Sequence, residues 1–228
     1  MNRKLRNGRA TLDVITNMVL VIAIITSTAI IVRREIVGVK QAPTSVMGTY
    51  VKDWRSYLIS ASLIGSPNAA FQIVEFADFE CPACRNFHNL LSDARRRHGD
   101  SLALNFVHYP LPYHLQALKA ATASECARLQ GRFEEMHDAL FSVQDSIART
   151  PYVSLAVFAG IRDSTSFARC MSLPDTSARV LQGVTLGNAI EIAATPTILL
   201  NGWRLRAPPS TPAAFDSLLA RVLRTAAP

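Results

Sequence analysis

The hydrophobic and polar positions divide the chain into a few distinct runs. Val14 to Val32 (VITNMVLVIAIITSTAIIV) is a 19-residue stretch without a charge, which as a helix would extend roughly 28 Å, close to the thickness of a bilayer core. Residues 33–64 lose that uniformity. Pro43, Thr44, Ser45 and Gly48 mark a tether, a short helix is expected around Trp54 to Leu63, and Gly65-Ser66-Pro67-Asn68 signals a turn. Phe71 to Asp78 (FQIVEFAD) is β-prone and apolar on both alternating faces, which predicts a central strand. Pro82 to His98 reads as a helix, with Cys84, Phe87 and Leu91 along one side and Gly99 at its stop. Ser101 to Val107 is a second strand. From His114 to about Ile192 the pattern is helical: Leu118, Thr122, Cys126 and Leu129 share a face, Gly131 interrupts, and Phe133, Met136, Leu140 and Phe141 continue. Strand signal returns at Thr197 to Leu200, followed by the hairpin turn Asn201-Gly202 and by Trp203-Arg204-Leu205. The last helix opens at Thr211-Pro212, an N-cap followed by Pro, and carries Phe215, Leu218, Leu219, Val222 and Leu223 at helical spacing. Strand–helix–strand, a helical block, then hairpin–helix is an α/β layer with an insertion.

Charge sharpens the reading of the N-terminus. The 228 residues carry a net charge of +7, with 49% hydrophobic residues. Arg3, Lys4, Arg6, Arg9, Arg33, Arg34 and Lys40, against only Asp13 and Glu35, concentrate that charge in the first forty residues. The remainder is nearly neutral, which argues against nucleic-acid binding. The apolar content excludes disorder, and a mean hydropathy of only +0.17 excludes a multi-span membrane protein. Basic residues flank the apolar run on both sides, and the larger group before it favours a cytoplasmic N-terminus. The run is long for a signal-peptide core, so an uncleaved single-pass anchor in the plasma (inner) membrane is expected. Cleavage near Ser27-Thr28-Ala29 is the alternative. On either reading the rest is exported. The expected organisation is a basic cytoplasmic tail at 1–13, a transmembrane anchor at 14–32, a tether and extension at 33–64, and an extracytoplasmic domain at 65–228 with its helical insertion at about 112–192.

The candidate chemistry is the pair Cys81-Pro-Ala-Cys84, where a strand ends and a helix begins. Cys81 falls at the N-cap with Pro82 at the first helical position, so backbone N–H groups and the positive helix end face its sulfur and lower its pKa. Cys84, nearly one turn on, is close enough to form a disulfide with it. A zinc site would need two further ligands at a matching spacing; His88 is the one nearby candidate and reads as a helix-surface residue. A purely structural disulfide and a chance CxxC are the other readings. The strand–CPxC–helix context favours redox chemistry. Among the remaining features, Arg95-Arg96-Arg97 complements a helix end, and His114 and His137 read as caps or surface residues. Glu80 reads as exposed, and Trp203 as a packing residue. Cys126 and Cys170 are left over. In an exported protein they favour a disulfide closing a 45-residue loop, with two separate buried thiols as the alternative.

VEFADFECPACRNF, PLPYHLQALKAATASECARLQGRFEEMHDALF and TPTILLNG together resemble the DsbA-like thiol–disulfide oxidoreductases of the thioredoxin superfamily, over roughly residues 65–225. The resemblance implies an α/β thioredoxin fold with an inserted helical domain, and a cis Thr195-Pro196 peptide facing the cysteines and binding extended substrate. Without it, Pro196 reads as a strand-start proline. It implies that Glu75, six residues before Cys81, is the buried acid that tunes the cysteines; Asp78 is a second candidate for that role or a solvated strand end. An acid near a thiolate would raise the thiol pKa. The best-known oxidases of the family carry Pro-His between the cysteines, and Ala83 cannot supply that imidazole. The expected function is a dithiol oxidase acting on exported proteins with free thiols. Its expected reoxidant is a quinone-linked membrane partner of the DsbB or vitamin K epoxide reductase type, and no cofactor or metal is implied. A reductase or isomerase on the same fold, and a non-catalytic envelope peptide-binding adaptor, are the alternatives.

Overall fold

The computed structural model describes residues 18–28, 46–173 and 177–225. The chain divides into two units, residues 1–44 and 45–228. In the first, residues 18–28 form helix α1. The rest of the expected anchor at 14–32, and the basic tail at 1–13, lie outside the described residues. Among the described residues no helix is long and apolar enough to cross a membrane.

The second unit is built on a six-stranded sheet of order β1-β6-β5-β3-β4-β2, with β1 Met47–Tyr50, β2 Ser62–Ile64, β3 Phe71–Ala77, β4 Leu102–His108, β5 Thr197–Leu200 and β6 Trp203–Leu205. Strand β3 lies parallel to β4 and antiparallel to β5. Its central place explains its apolar character on both faces. Phe71, Ile73 and Ala77 enter one core cluster, and Val74 and Phe76 enter the other with Trp54, Tyr57 and Val107. Residues 46–64, expected to lead into the domain, belong to the sheet itself: β1 pairs with β6 and β2 with β4 as its two edges. The short helix expected there is a 3-10 segment, Trp54–Ile59.

Helix α2 (Pro82–His98) follows β3 through a turn. Cys81 is its N-cap, and Gly99, at φ 55°, ends it in a conformation that suits glycine. The insertion between β4 and β5 comprises α3 Ala117–Arg128, α4 Phe133–Ser142, α5 Tyr152–Phe158, α6 Ser164–Met171 and α7 Ala178–Ala189. Helix α8 (Pro212–Arg224) returns to pack on α2. Its N-cap Thr211 accepts a hydrogen bond from the Ala214 amide at 3.2 Å. The expected apolar face of α3 is not the buried one. Leu118 and Leu129 are exposed, whereas Ala117, Ala120, Ala123 and Ala127 are buried beside Thr122 and Cys126. Because α3 touches α4, α5, α6 and α7, small side chains fit where leucines would not.

The insertion is fastened to the sheet by a buried polar cluster. Glu125 of α3 meets His108 Nε2 of β4 at 3.0 Å, Arg128 Nε at 2.7 Å, Arg179 Nε of α7 at 3.1 Å and the Ser62 hydroxyl of β2 at 3.0 Å. Burial alone would push this carboxyl up; the hydrogen bonds and charges of His108 and Arg128 outweigh it and hold Glu125 at about 2. The sulfurs of Cys126 (α3) and Cys170 (α6) are bonded.

Candidate active site

Cys81 and Cys84 are both free thiols and both buried, Cys81 at 7% exposure and Cys84 at 0%. Pro82 at the first helical position costs no hydrogen bond, so the turn from β3 into α2 can present the Cys81 sulfur to the helix end. In the thiol form Cys81 Sγ donates to the carbonyl oxygen of Thr195 at 3.3 Å. A thiolate has no such proton to give, and other groups stabilise it. The Cys84 thiol contributes most, burial opposes it, and the Thr195 hydroxyl and the amides of Cys84 and Ala83 add to it. Together they lower Cys81 from 9.0 to about 5. The largest influence is therefore the partner thiol, with the backbone amides of the helix end a smaller one. Cys84 moves the opposite way: burial first, then its bond to Cys81 and the charges of Glu75 and Cys81, push it far up.

Glu75 lies on the face of β3 that carries Ile73 and Ala77. It is 1% exposed, and its Oε1 has no hydrogen-bond partner. Burial, and secondarily the Cys81 charge, raise it from 4.5 to about 8. Glu75 is consequently protonated at neutral pH; once ionised at higher pH, its charge opposes both the Cys81 thiolate and the ionisation of Cys84.

Asp78 is fully buried and engaged elsewhere. Its Oδ2 accepts from the Leu111 amide at 2.8 Å and meets His114 Nδ1 at 2.7 Å, and its Oδ1 accepts from the Glu80 amide at 2.8 Å. It ties the loop before Cys81 to the loop after β4. Glu80 helps, accepting from the Gln116 amide. A residue without any sequence signal completes the frame: the buried Gln144 Nε2 donates to the carbonyls of Phe79 at 2.7 Å and Cys81 at 3.1 Å, reaching from the insertion to the cysteine turn. His137, read from sequence as a cap or surface residue, is buried among Phe79, Phe106 and Phe141.

The Thr195-Pro196 peptide is cis and Thr195 is buried against Cys81. Beside it opens a groove of about 540 Å³ lined by Gly48, Ala83, Ala194, Thr195, Pro196 and Arg206 among others. Among the described residues, one group of side chains has the composition to hold a metal ion, His88, His137 and Asp138, and it includes neither Cys81 nor Cys84.

A redox-competent CxxC at a helix start, beneath a cis-proline loop and above a buried acid, on a sheet interrupted by a helical insertion, defines a thiol–disulfide oxidoreductase. Residues 59–221 match the family described as thioredoxin. The chain belongs to that family and carries the DsbA-like form of its fold. Among solved structures, a thioredoxin-like oxidoreductase from Silicibacter pomeroyi DSS-3 is 23% identical, with a TM-score of 0.65 over 75% of this chain and 99% of that one. DsbA2 of Pseudomonas aeruginosa is 22% identical, with a TM-score of 0.57 over 71% and 93%. A curated relative, the Na(+)/H(+) antiporter NhaA 1 of Mycolicibacterium gilvum, is 37% identical over 147 residues, which are 63% of this chain and 24% of the antiporter. The chain thus spans about a quarter of the length of that relative.

Proposed function

We propose that this oxidoreductase is a dithiol oxidase that introduces disulfides into exported proteins, held at the membrane by residues 14–32. DsbA-family proteins are extracytoplasmic. The observation that carries the reading is the divergence of the two thiols, Cys81 lowered to about 5 and Cys84 raised far above it. A substrate thiolate attacks Cys81 of the Cys81–Cys84 disulfide. That bond breaks, Cys84 leaves and takes up a proton, and a substrate–Cys81 mixed disulfide forms. Glu75, neutral and buried, would pass that proton. A second substrate thiolate then attacks the substrate sulfur of the mixed disulfide, and Cys81 leaves as a stable thiolate. Two electrons pass from the substrate dithiol to the pair, which a quinone-linked membrane partner of the DsbB or vitamin K epoxide reductase type would reoxidise. Extended substrate would lie in the groove at Thr195 and Pro196.

The stabilised thiolate favours the reduced pair and so makes the couple more oxidising. Between pH 5 and pH 7 the shift contributes about 3 kcal/mol at most. Allowing for solvent screening at the helix end, the gain is about 30–60 mV. Titration of the full chain against glutathione tests the proposal. A potential toward about −120 to −180 mV supports the oxidase; one near about −270 mV makes the protein a reductase. Absence of a reversible couple would leave the adaptor reading.

A further inference from the structure

We propose that His88, His137 and Asp138 form a binding site for a divalent transition-metal ion of the Zn2+ type, bridging helix α2 to helix α4 of the insertion. Two imidazoles and a carboxylate are the donor set that such an ion takes when it keeps a fourth position for water. The three ligand atoms lie within 4.8 Å of one another. Asp138 Oδ1 is 3.0 Å from His137 Nδ1 and 3.9 Å from His88 Nδ1. Around a tetrahedral ion with bonds of about 2.0–2.1 Å, ligand atoms stand roughly 3.3 Å apart, so the gap closes with side-chain movements of about an ångström.

The surroundings favour an ion on independent grounds. His88 makes no hydrogen bond within the described residues, and its ion pair with Asp138 is long, at 3.9 Å. Its ring is held by stacking on Phe141, at 4.8 Å between centroids and 22° between planes, and edge-on to His137 at 5.0 Å. His137 is 2% exposed, and its Nε2 has no partner. With the proton on Nδ1, donated to Asp138, Nε2 is a bare acceptor among the rings of Phe79, Phe106 and Phe141. A metal on Nδ1 moves that proton to Nε2, where the aromatic faces accept it weakly. Metal binding therefore relieves a buried unpaired atom instead of creating one. The Asp138 side chain is 54% exposed, so the site is open to solvent on its carboxylate side. The nearby cation Arg95 is already paired with Glu134 at 2.8 Å. His88 stands one helical turn beyond Cys84, so the ion would pin the insertion to the helix that carries the redox pair.

The test uses the full chain, freed of metal by chelation and with the Cys81–Cys84 pair oxidised, so that no thiolate competes. Zn2+ is titrated by calorimetry into the wild type, His88→Gln, and His98→Gln as a control on the same helix. One Zn2+ per chain is expected in the wild type and in His98→Gln, with affinity at least tenfold weaker in His88→Gln. At a hundredfold excess over Kd the wild-type Tm should rise by about 5–11 °C, and that of His88→Gln by far less. Imidazole nitrogen NMR should show the His137 proton move from Nδ1 to Nε2 on addition of Zn2+. Equal Zn2+ affinity in the wild type and His88→Gln would overturn the proposal, as would an unchanged His137 tautomer at saturation.

Discussion

Replacing Glu75 with glutamine turns the buried acid into a quantitative prediction. In the unfolded chain the carboxyl ionises near 4.5, whereas in the reduced folded protein it holds its proton up to about 8. Between those values the folded state binds one proton more than the unfolded state, so stability falls as pH rises, by about 1.4 kcal/mol per unit. The contribution is fully favourable below pH 4.5. It has diminished by about 3 kcal/mol at pH 7 and by about 5 kcal/mol above pH 8. Glutamine keeps the size of the side chain and removes the proton. Any fixed cost of an unpaired amide offsets the whole curve without changing its slope. The assay is denaturant unfolding of reduced wild type and Glu75→Gln from pH 4 to pH 9. The variant should lack this fall, so its stability relative to the wild type should rise by about 3 kcal/mol between pH 4 and pH 7. A Tm difference that grows by about 6–12 °C over the same interval is the thermal equivalent. Parallel curves would refute the reasoning, because they would mean that Glu75 ionises alike in both states.

Other consequences can be checked separately. Alkylation of the reduced protein, followed against pH, should give a half-point near pH 5 at Cys81 and almost no reaction at Cys84; a half-point above pH 7 would remove the basis of the proposed oxidase. Substituting both Cys126 and Cys170 with alanine opens a loop closed across a separation of 44 residues, and should cost up to about 4 kcal/mol in denaturant unfolding; a loss below about 1 kcal/mol would contradict the constraint. Gly183→Ala places a Cβ 2.3 Å from the His108 carbonyl oxygen, where α7 lies against β4. It should destabilise by about 1–3 kcal/mol, and a neutral effect would show that α7 can move away.

Much of this architecture is readable from local signals. Strand β3, helix α2 with Pro82 at its start and Gly99 at its end, and the Asn201-Gly202 hairpin each carry dense turn, cap or apolar patterning within a few residues. Strands β1 and β2, four and three residues long, are too short to establish an alternation, and their place is set by partners far along the chain. The buried face of α3 escapes hydropathy patterning because alanine, not leucine, fits between four neighbouring helices. At the site, Cys81 and Cys84 declare themselves by spacing. Gln144 and His137 do not, because a lone polar residue in a helical stretch looks the same whether it faces water or the Phe79 carbonyl. Asp78 shows the same gap: its position beside the cysteines is visible, but its bonds to Leu111 and His114 depend on a loop brought in by β4.

The bond between Cys126 and Cys170 makes the protein's own maturation an oxidative event. A newly made chain has four thiols, which can pair in three ways, and only one of these both joins α3 to α6 and unites Cys81 with Cys84. The two catalytic thiols are three residues apart and meet at little entropic cost, whereas Cys126 must find a partner 44 residues away. A chain whose insertion is still unstapled is therefore chemically indistinguishable from the unfolded dithiol proteins that the finished enzyme would oxidise. If the proposed oxidase activity holds, mature copies would complete immature ones, and the supply of active protein would grow with the amount already made.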